Sequence, residues 1–84
     1  MSWQVSWGAR AIKDLSKLDP PDARRIYRAV HKLADTGHGD LKLLKGSDEY
    51  RLRVGNWRVR LEYNLEEYEL VVIRVLHRRE GYRK

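Results

Sequence analysis

Residues 50–61 read Tyr50-Arg51-Leu52-Arg53-Val54-Gly55-Asn56-Trp57-Arg58-Val59-Arg60-Leu61, and this stretch decides the fold. Large apolar residues alternate with arginine on both sides of Gly55-Asn56. Alternation with period two marks a half-buried β-strand, and Gly-Asn between two such runs marks a two-residue hairpin loop that requires positive φ. With that loop, Val54 faces Trp57, Arg53 faces Arg58 and Arg51 faces Arg60. All four arginines then point away from the side that carries Leu52, Val59 and Leu61. Like charges placed directly opposite destabilise a sheet by up to about 1 kcal/mol per pair. Two adjacent pairs of this kind conflict with good folding design, and such conflicts tend to mark functional positions.

Working outward, residues 3–7 alternate Trp3, Val5 and Trp7 with Gln4 and Ser6, a short strand. From Ala9 the period changes to that of a helix over residues 9–18. Ile12, Leu15 and Leu18 share a face with Ala11 beside them, and Arg10, Lys13, Asp14 and Lys17 fall elsewhere. Asp19-Pro20-Pro21 ends this helix and opens another, since proline suits the first helical position and Asp19 can cap the exposed amides. The second helix carries a stripe of Ala23, Ile26, Tyr27, Val30, Leu33 and Ala34, with Gly37 as its stop. Residues 37–48 read as a polar connection pinned to the core by Leu41, Leu43 and Leu44. Beyond the hairpin, a turn around Leu65-Glu66-Glu67-Tyr68 leads to residues 69–76, which are apolar on both faces and so read as an interior strand. The expected order is β-α-α-β-β-β. This is an α+β domain spanning residues 1–84, with a helical hairpin packed on one face of a mostly antiparallel twisted sheet.

Composition bounds the chemistry. A chain of 84 residues supports one thin core and buries only about 60% of its unfolded surface. There is no cysteine, which excludes disulfides, thiolate metal ligands and cysteine nucleophiles. The apolar fraction of 42% is enough for a compact core, and the 36% of charged residues are interspersed with it, unlike a disordered chain. No run approaches the roughly 20 apolar residues of a membrane helix, and the first residues do not read as a secretory leader. The expectation is a soluble, cytoplasmic protein with no membrane partner. The net charge is +6, and twelve of the eighteen basic residues are arginine, the planar fork suited to phosphate.

Arg74 joins the ladder only if the last turn holds an odd number of residues. A two-residue loop at Glu66-Glu67 would bury it among core side chains, and the cost of burying a lone guanidinium favours the odd turn. One reading of the ladder is a solvated sheet face with Glu49 and Glu62 neutralising one end. The other is an anion-binding face, favoured because the opposed cations are all arginine and no acids stand at matching positions; a phosphate backbone is the fitting anion. His77, Arg78 and Tyr82 follow the interior strand and are expected near the arginine face. They add an imidazole able to pass protons, a charge for an oxyanion and a ring for stacking.

Taken together, the chain resembles the RelE-type toxins of the RelE/ParE superfamily. The residues that carry the resemblance are the strand at 3–7, the helix ending Lys17-Leu18, Leu43-Leu44-Lys45-Gly46, the Tyr-Arg-x-Arg-x-Gly-x-x-Arg hairpin from Tyr50 to Arg58, and the tail Val75-Leu76-His77-Arg78-Arg79-Glu80-Gly81-Tyr82. The resemblance implies a microbial-RNase-like fold and cleavage of mRNA in the ribosomal A site, by attack of the substrate's 2′-OH on the adjacent phosphate, with no metal or cofactor. It places the active site on Arg51, Arg53, Arg58, Arg78 and Tyr82, with Arg60, Arg74, Lys45 and Arg79 as RNA contacts. It also implies a RelB-like acidic antitoxin as partner, beside ribosome and mRNA. Well-known members carry lysine where this chain has Arg51 and Arg53. Lysine can give up a proton when its pKa is depressed and arginine effectively cannot, so His77, Tyr82, or groups of the substrate or ribosome become the candidates for proton transfer. The competing expectations are a ParE-like inhibitor of DNA gyrase, a basic module that binds nucleic acid without cutting it, and a degenerate toxin still held by its partner.

Overall fold

The computed structural model describes residues 2–81. Its elements are β1 (Gln4–Trp7), α1 (Ala9–Ser16), α2 (Pro20–Thr36), β2 (Asp40–Leu43), β3 (Tyr50–Val54), β4 (Trp57–Asn64), β5 (Glu69–His77) and a short α3 (Arg78–Gly81). The five strands form one sheet in the order β1-β5-β4-β3-β2. β1 runs parallel to β5 and every other pair is antiparallel. β5 is interior, as its two apolar faces require.

Ile26, Val30, Leu33 and Ala34 of α2 close over Leu52, Val54, Val59, Leu61, Leu70, Val72 and Val75 of the sheet, with Ala11 of α1 joining them. α2 begins with Pro20 at its first position after Asp19, although the Asp19 side chain makes no capping hydrogen bond, and it ends on Gly37 at φ 77. Tyr27 belongs to the predicted stripe but is half exposed. Its ring stacks on Trp7 at 6.0 Å between centroids and meets His31 at 4.2 Å.

Three expectations change. The segment read as a polar loop contains β2, which pairs with β3 so that Asp40 lies opposite Arg53 and Lys42 opposite Arg51. α1 is also rotated from its predicted facing, with Ala11 buried and Ile12 exposed. Asp14 turns inward because α1 lies against β5 where β1 has ended, and there the carboxylate accepts the Val75 N–H at 2.8 Å. A sheet edge left without a strand still needs an acceptor for its amides, and Asp14 supplies one.

The third change concerns Arg74. Asn64 pairs with Glu69, so the turn at 65–68 has an even number of residues, which alone would send Arg74 to the core side. Instead the register slips between Arg60 and Leu61: Leu61 pairs with Val72 and Arg60 with Arg74, leaving Ile73 out of step. A β-bulge of this kind re-aims the side chains that follow it. Arg74 therefore lies opposite Arg60, as expected, but a bulge and not an odd turn puts it there.

Candidate active site

Gly55 has φ 59, while among the described residues Tyr68 is the single non-glycine residue with positive φ. A glycine at positive φ followed by Asn56 at negative φ is the primed turn whose twist matches a hairpin. It locks the register that the sequence implies, with Arg51 opposite Arg60 and Arg53 opposite Arg58. By strand alternation these four lie on the sheet face away from α1 and α2.

Each arginine of the ladder is held differently. Arg53 donates from Nε to Asp40 Oδ2 at 2.7 Å, and Arg51 Nη2 lies 3.8 Å from Asp40 Oδ1. Arg60 donates from Nε to Glu49 Oε1 at 2.8 Å, and its Nη2 lies 2.8 Å from the same oxygen. Arg58 is only 5% exposed and folds back on the hairpin tip, where its Nη1 donates to the carbonyls of Gly55 and Trp57 at 3.0 Å each. The expectation that no acid matches the ladder is thus corrected: β2 brings Asp40 across from it, and Glu49 reaches in from just before β3. The solvated-face reading foresaw Glu49 but not Asp40. Neutralisation is incomplete, because one carboxylate spans both Arg51 and Arg53. Arg51 Nε is moreover buried with no hydrogen-bond partner among the described residues. A buried donor left in that condition costs roughly 1–3 kcal/mol.

Arg74 is taken by α1. Its Nε and Nη2 donate to Asp14 at 2.8 and 3.2 Å. Burial on its own would raise the Asp14 pKa, but the hydrogen bonds from Arg74 and the Val75 amide, with the positive charges of Arg74 and Lys17, outweigh it and hold the carboxyl below the usual carboxylate range. Arg74 thereby ties helix to sheet.

The tail residues separate. Arg78 opens α3 and donates its backbone N–H to the Asn56 carbonyl at 2.7 Å, which tethers the tail to the hairpin tip beside Arg53 and Arg58. Arg79 is exposed and donates its N–H to His77 Nδ1 at 3.4 Å. His77 is still within β5, opposite Trp57, whose ring it meets edge-on at 5.3 Å. Trp57 shares the face of Val54 and Val59, so His77 lies on the helix side, in a cleft with Asp14, Lys17 and Leu18. The expectation that His77 stands close to the arginine face is corrected by strand alternation. Lys45 lies in the exposed turn between β2 and β3, at the end of the sheet opposite the hairpin tip. Tyr82 lies outside the described residues. Lys42, opposite Arg51, is the ladder-face cation that the sequence reading missed, for the same reason that it missed β2. Among the described residues, no three His, Asp or Glu side chains are grouped to hold a metal ion.

A cationic sheet face with a tail pinned to its hairpin can take phosphates along a strand of nucleic acid. The family model described as the ParE toxin of the type II toxin–antitoxin system parDE matches residues 5–82. A chain of Methanocaldococcus jannaschii that bears the name of a RelE1 toxin is 35% identical over 86 residues, covering 96% of this chain and 94% of its own. Among solved structures, the toxin–antitoxin complex RelBE2 of Mycobacterium tuberculosis is similar with a TM-score of 0.83 at 23% identity, covering 93% of both chains. The RelB–RelE complex of Methanococcus jannaschii is similar with a TM-score of 0.74 at 28% identity, covering 92% of this chain and 94% of that one. No helix of the described residues is long and apolar enough to cross a membrane. With the family model spanning nearly the whole chain and a relative above one third identity sharing its length, the chain belongs to the RelE/ParE family of type II toxin–antitoxin toxins.

Proposed function

We propose that this chain is the toxin of a RelBE-type pair and acts as an endoribonuclease that cuts mRNA in the ribosomal A site. The observation that carries the reading is the pair of opposed arginine couples, Arg51 with Arg60 and Arg53 with Arg58, on the sheet face that the helices leave uncovered. Folding does not call for this arrangement, and phosphate binding does. Arg53 and Arg60 keep about half of their side-chain surface exposed and present their forks to phosphate oxygens. Arg58, buried beneath them, adds a charge in surroundings of low dielectric, where its field is weakly screened.

In the reaction, the 2′-oxygen of the substrate bonds to the adjacent phosphorus and the bond to the 5′-oxygen breaks. The products are a 2′,3′-cyclic phosphate and a free 5′-hydroxyl. The arginines stabilise the charge that builds on the phosphate, but they do not carry the proton that leaves the 2′-OH or the one that reaches the 5′-oxygen. His77 on the opposite face is badly placed for either transfer. Tyr82, or groups of the substrate and ribosome, are left for both. The structural neighbours are RelE toxins held by RelB antitoxins, and the basic ladder of this chain suits a RelB-like acidic antitoxin in the same way.

The test is cleavage of mRNA on programmed ribosomes by the purified chain, with end-mapping of the fragments. Arg53→Gln with Arg60→Gln is the variant of choice, because Arg58 is buried and its removal would disturb the hairpin. Loss of cleavage in a folded double variant is expected, and undiminished cleavage refutes the ladder. The match to the ParE model favours one second reading, inhibition of DNA gyrase. A supercoiling assay in which this chain blocks gyrase while leaving mRNA intact would establish that reading instead.

A further inference from the structure

Asp40 and Glu49 offset part of the ladder's charge. A second group of cations lies on α2. Arg24, Arg25 and Arg28 are exposed, and with Pro21 they line one open cleft of about 350 Å³ on a single face of the helix. Among the described residues no carboxylate pairs with any of them, the ion pairs being confined to Arg51, Arg53, Arg60 and Arg74. Asp19 and Asp22, the acids at the start of α2, make no such pair either.

This patch is continuous with the ladder. The guanidinium of Arg25 lies across Gly55: Nη1, Cζ and Nη2 would stand 2.9, 3.1 and 3.1 Å from a Cβ built there. Near-equal distances of three atoms mean that the group lies flat over the glycine. The carbonyl of the same Gly55 accepts from Arg58 Nη1 on the other side of the sheet. One turn residue is thus flanked by two guanidinium groups, one belonging to α2 and one to the ladder. Guanidinium groups of α2 and of the ladder meet at the hairpin tip.

We propose that Arg24, Arg25 and Arg28 form a second phosphate-binding surface, which holds the RNA backbone beyond the hairpin tip while the ladder holds the phosphate that reacts. This inference rests on the RNA-cleaving reading above. An acidic protein segment is the alternative occupant, since an apolar cleft lined by Leu15, Ala23 and Tyr27 shares Arg24 and Arg28 with this patch; the position of Arg25 over Gly55, next to the hairpin that carries the ladder, favours RNA. The cleft lined by Pro21, Arg24, Arg25 and Arg28 brings three guanidinium groups together, which suits phosphate.

The test uses two uncuttable probes, a fluorescent single-stranded 2′-O-methyl RNA long enough to cross the tip and a 2′-O-methyl dinucleotide that fills only the ladder. Each phosphate contact on a single strand contributes about 0.7 to the salt slope, or about 4-fold in affinity at 0.15 M salt. Arg24→Gln with Arg28→Gln is expected to weaken the long probe about 15-fold and to lower its slope by about 1.4, leaving the dinucleotide unchanged. Arg25→Gln should weaken the long probe about 4-fold. Wild-type affinity and slope in the double variant overturn the proposal, as does equal weakening of both probes. Unchanged RNA binding with loss of antitoxin binding overturns it in favour of a protein surface. The parent reading fails separately, if Arg53→Gln with Arg60→Gln binds the dinucleotide as the wild type does.

Discussion

Asp40 stands against the ladder's function, and replacing it by asparagine should tighten RNA binding. Its carboxylate holds Arg53 at 2.7 Å and lies 3.8 Å from Arg51. A phosphate that takes the Arg53 fork must displace this partner. With both side chains about half exposed, the pair contributes about 0.2–1 kcal/mol, and that opposition disappears in Asp40→Asn. The carboxylate also repels a phosphate bound across Arg51 and Arg53. At about 6 Å in a water-like dielectric the repulsion is about 0.7 kcal/mol, reduced further by a screening length of about 8 Å at physiological salt. Together these give about 1 kcal/mol, or roughly 5-fold tighter binding, growing as salt falls. The fold should lose less than about 1 kcal/mol, since asparagine still offers Arg53 an oxygen. Fluorescence anisotropy with a 2′-O-methyl RNA, at low and at physiological salt, reads the affinity, and thermal unfolding reads the fold. Equal or weaker binding by a well-folded Asp40→Asn protein would refute the reasoning, because the ladder would then not be where the phosphate sits.

Further outcomes follow from the same geometry. Asp14, whose pKa is lowered in the fold, stabilises the protein above the unfolded carboxyl range near pH 4, and that contribution is lost as pH falls through the folded value. Asp14→Asn should cost about 1–3 kcal/mol at neutral pH, with its urea midpoint converging on the wild type in acid; a gap that stays constant with pH would contradict the assignment. Gly55→Ala forces a side chain into positive φ and against the Arg25 guanidinium, so it should cost about 1–2 kcal/mol and lower Tm by roughly 4–16 °C, which calorimetry would check. His77→Gln should keep ribosomal mRNA cleavage within about 3-fold of wild type, whereas loss of a proton-transferring group would cost about 100-fold or more.

Local chemistry determined much of this protein. Alternation across Gly55-Asn56 is a property of adjacent residues, and it was enough to pair Arg51 with Arg60 and Arg53 with Arg58, because a two-residue loop leaves one register. Helical spacing and the proline pair likewise placed α2 and its core stripe. What the sequence left undecided depended on contacts between distant residues. β2, Asp40-Leu41-Lys42-Leu43, alternates over only four residues between glycines, and pairing with β3 makes it a strand, which brings Asp40 and Lys42 to the ladder. The bulge at Ile73 obeys no local pattern; it follows from fitting β5 between β4 and β1, and it aims Arg74 at Asp14 sixty residues earlier. His77 has the same neighbours in sequence whichever face it takes, and only the pairing of β5 with Trp57 put it on the helix side. The twelve arginines announce a polyanion partner from composition alone. Which of them are compensated and which remain open to bind it was decided by the carboxylates that the tertiary fold carries to them, since ion pairing depends on distance in space and not along the chain.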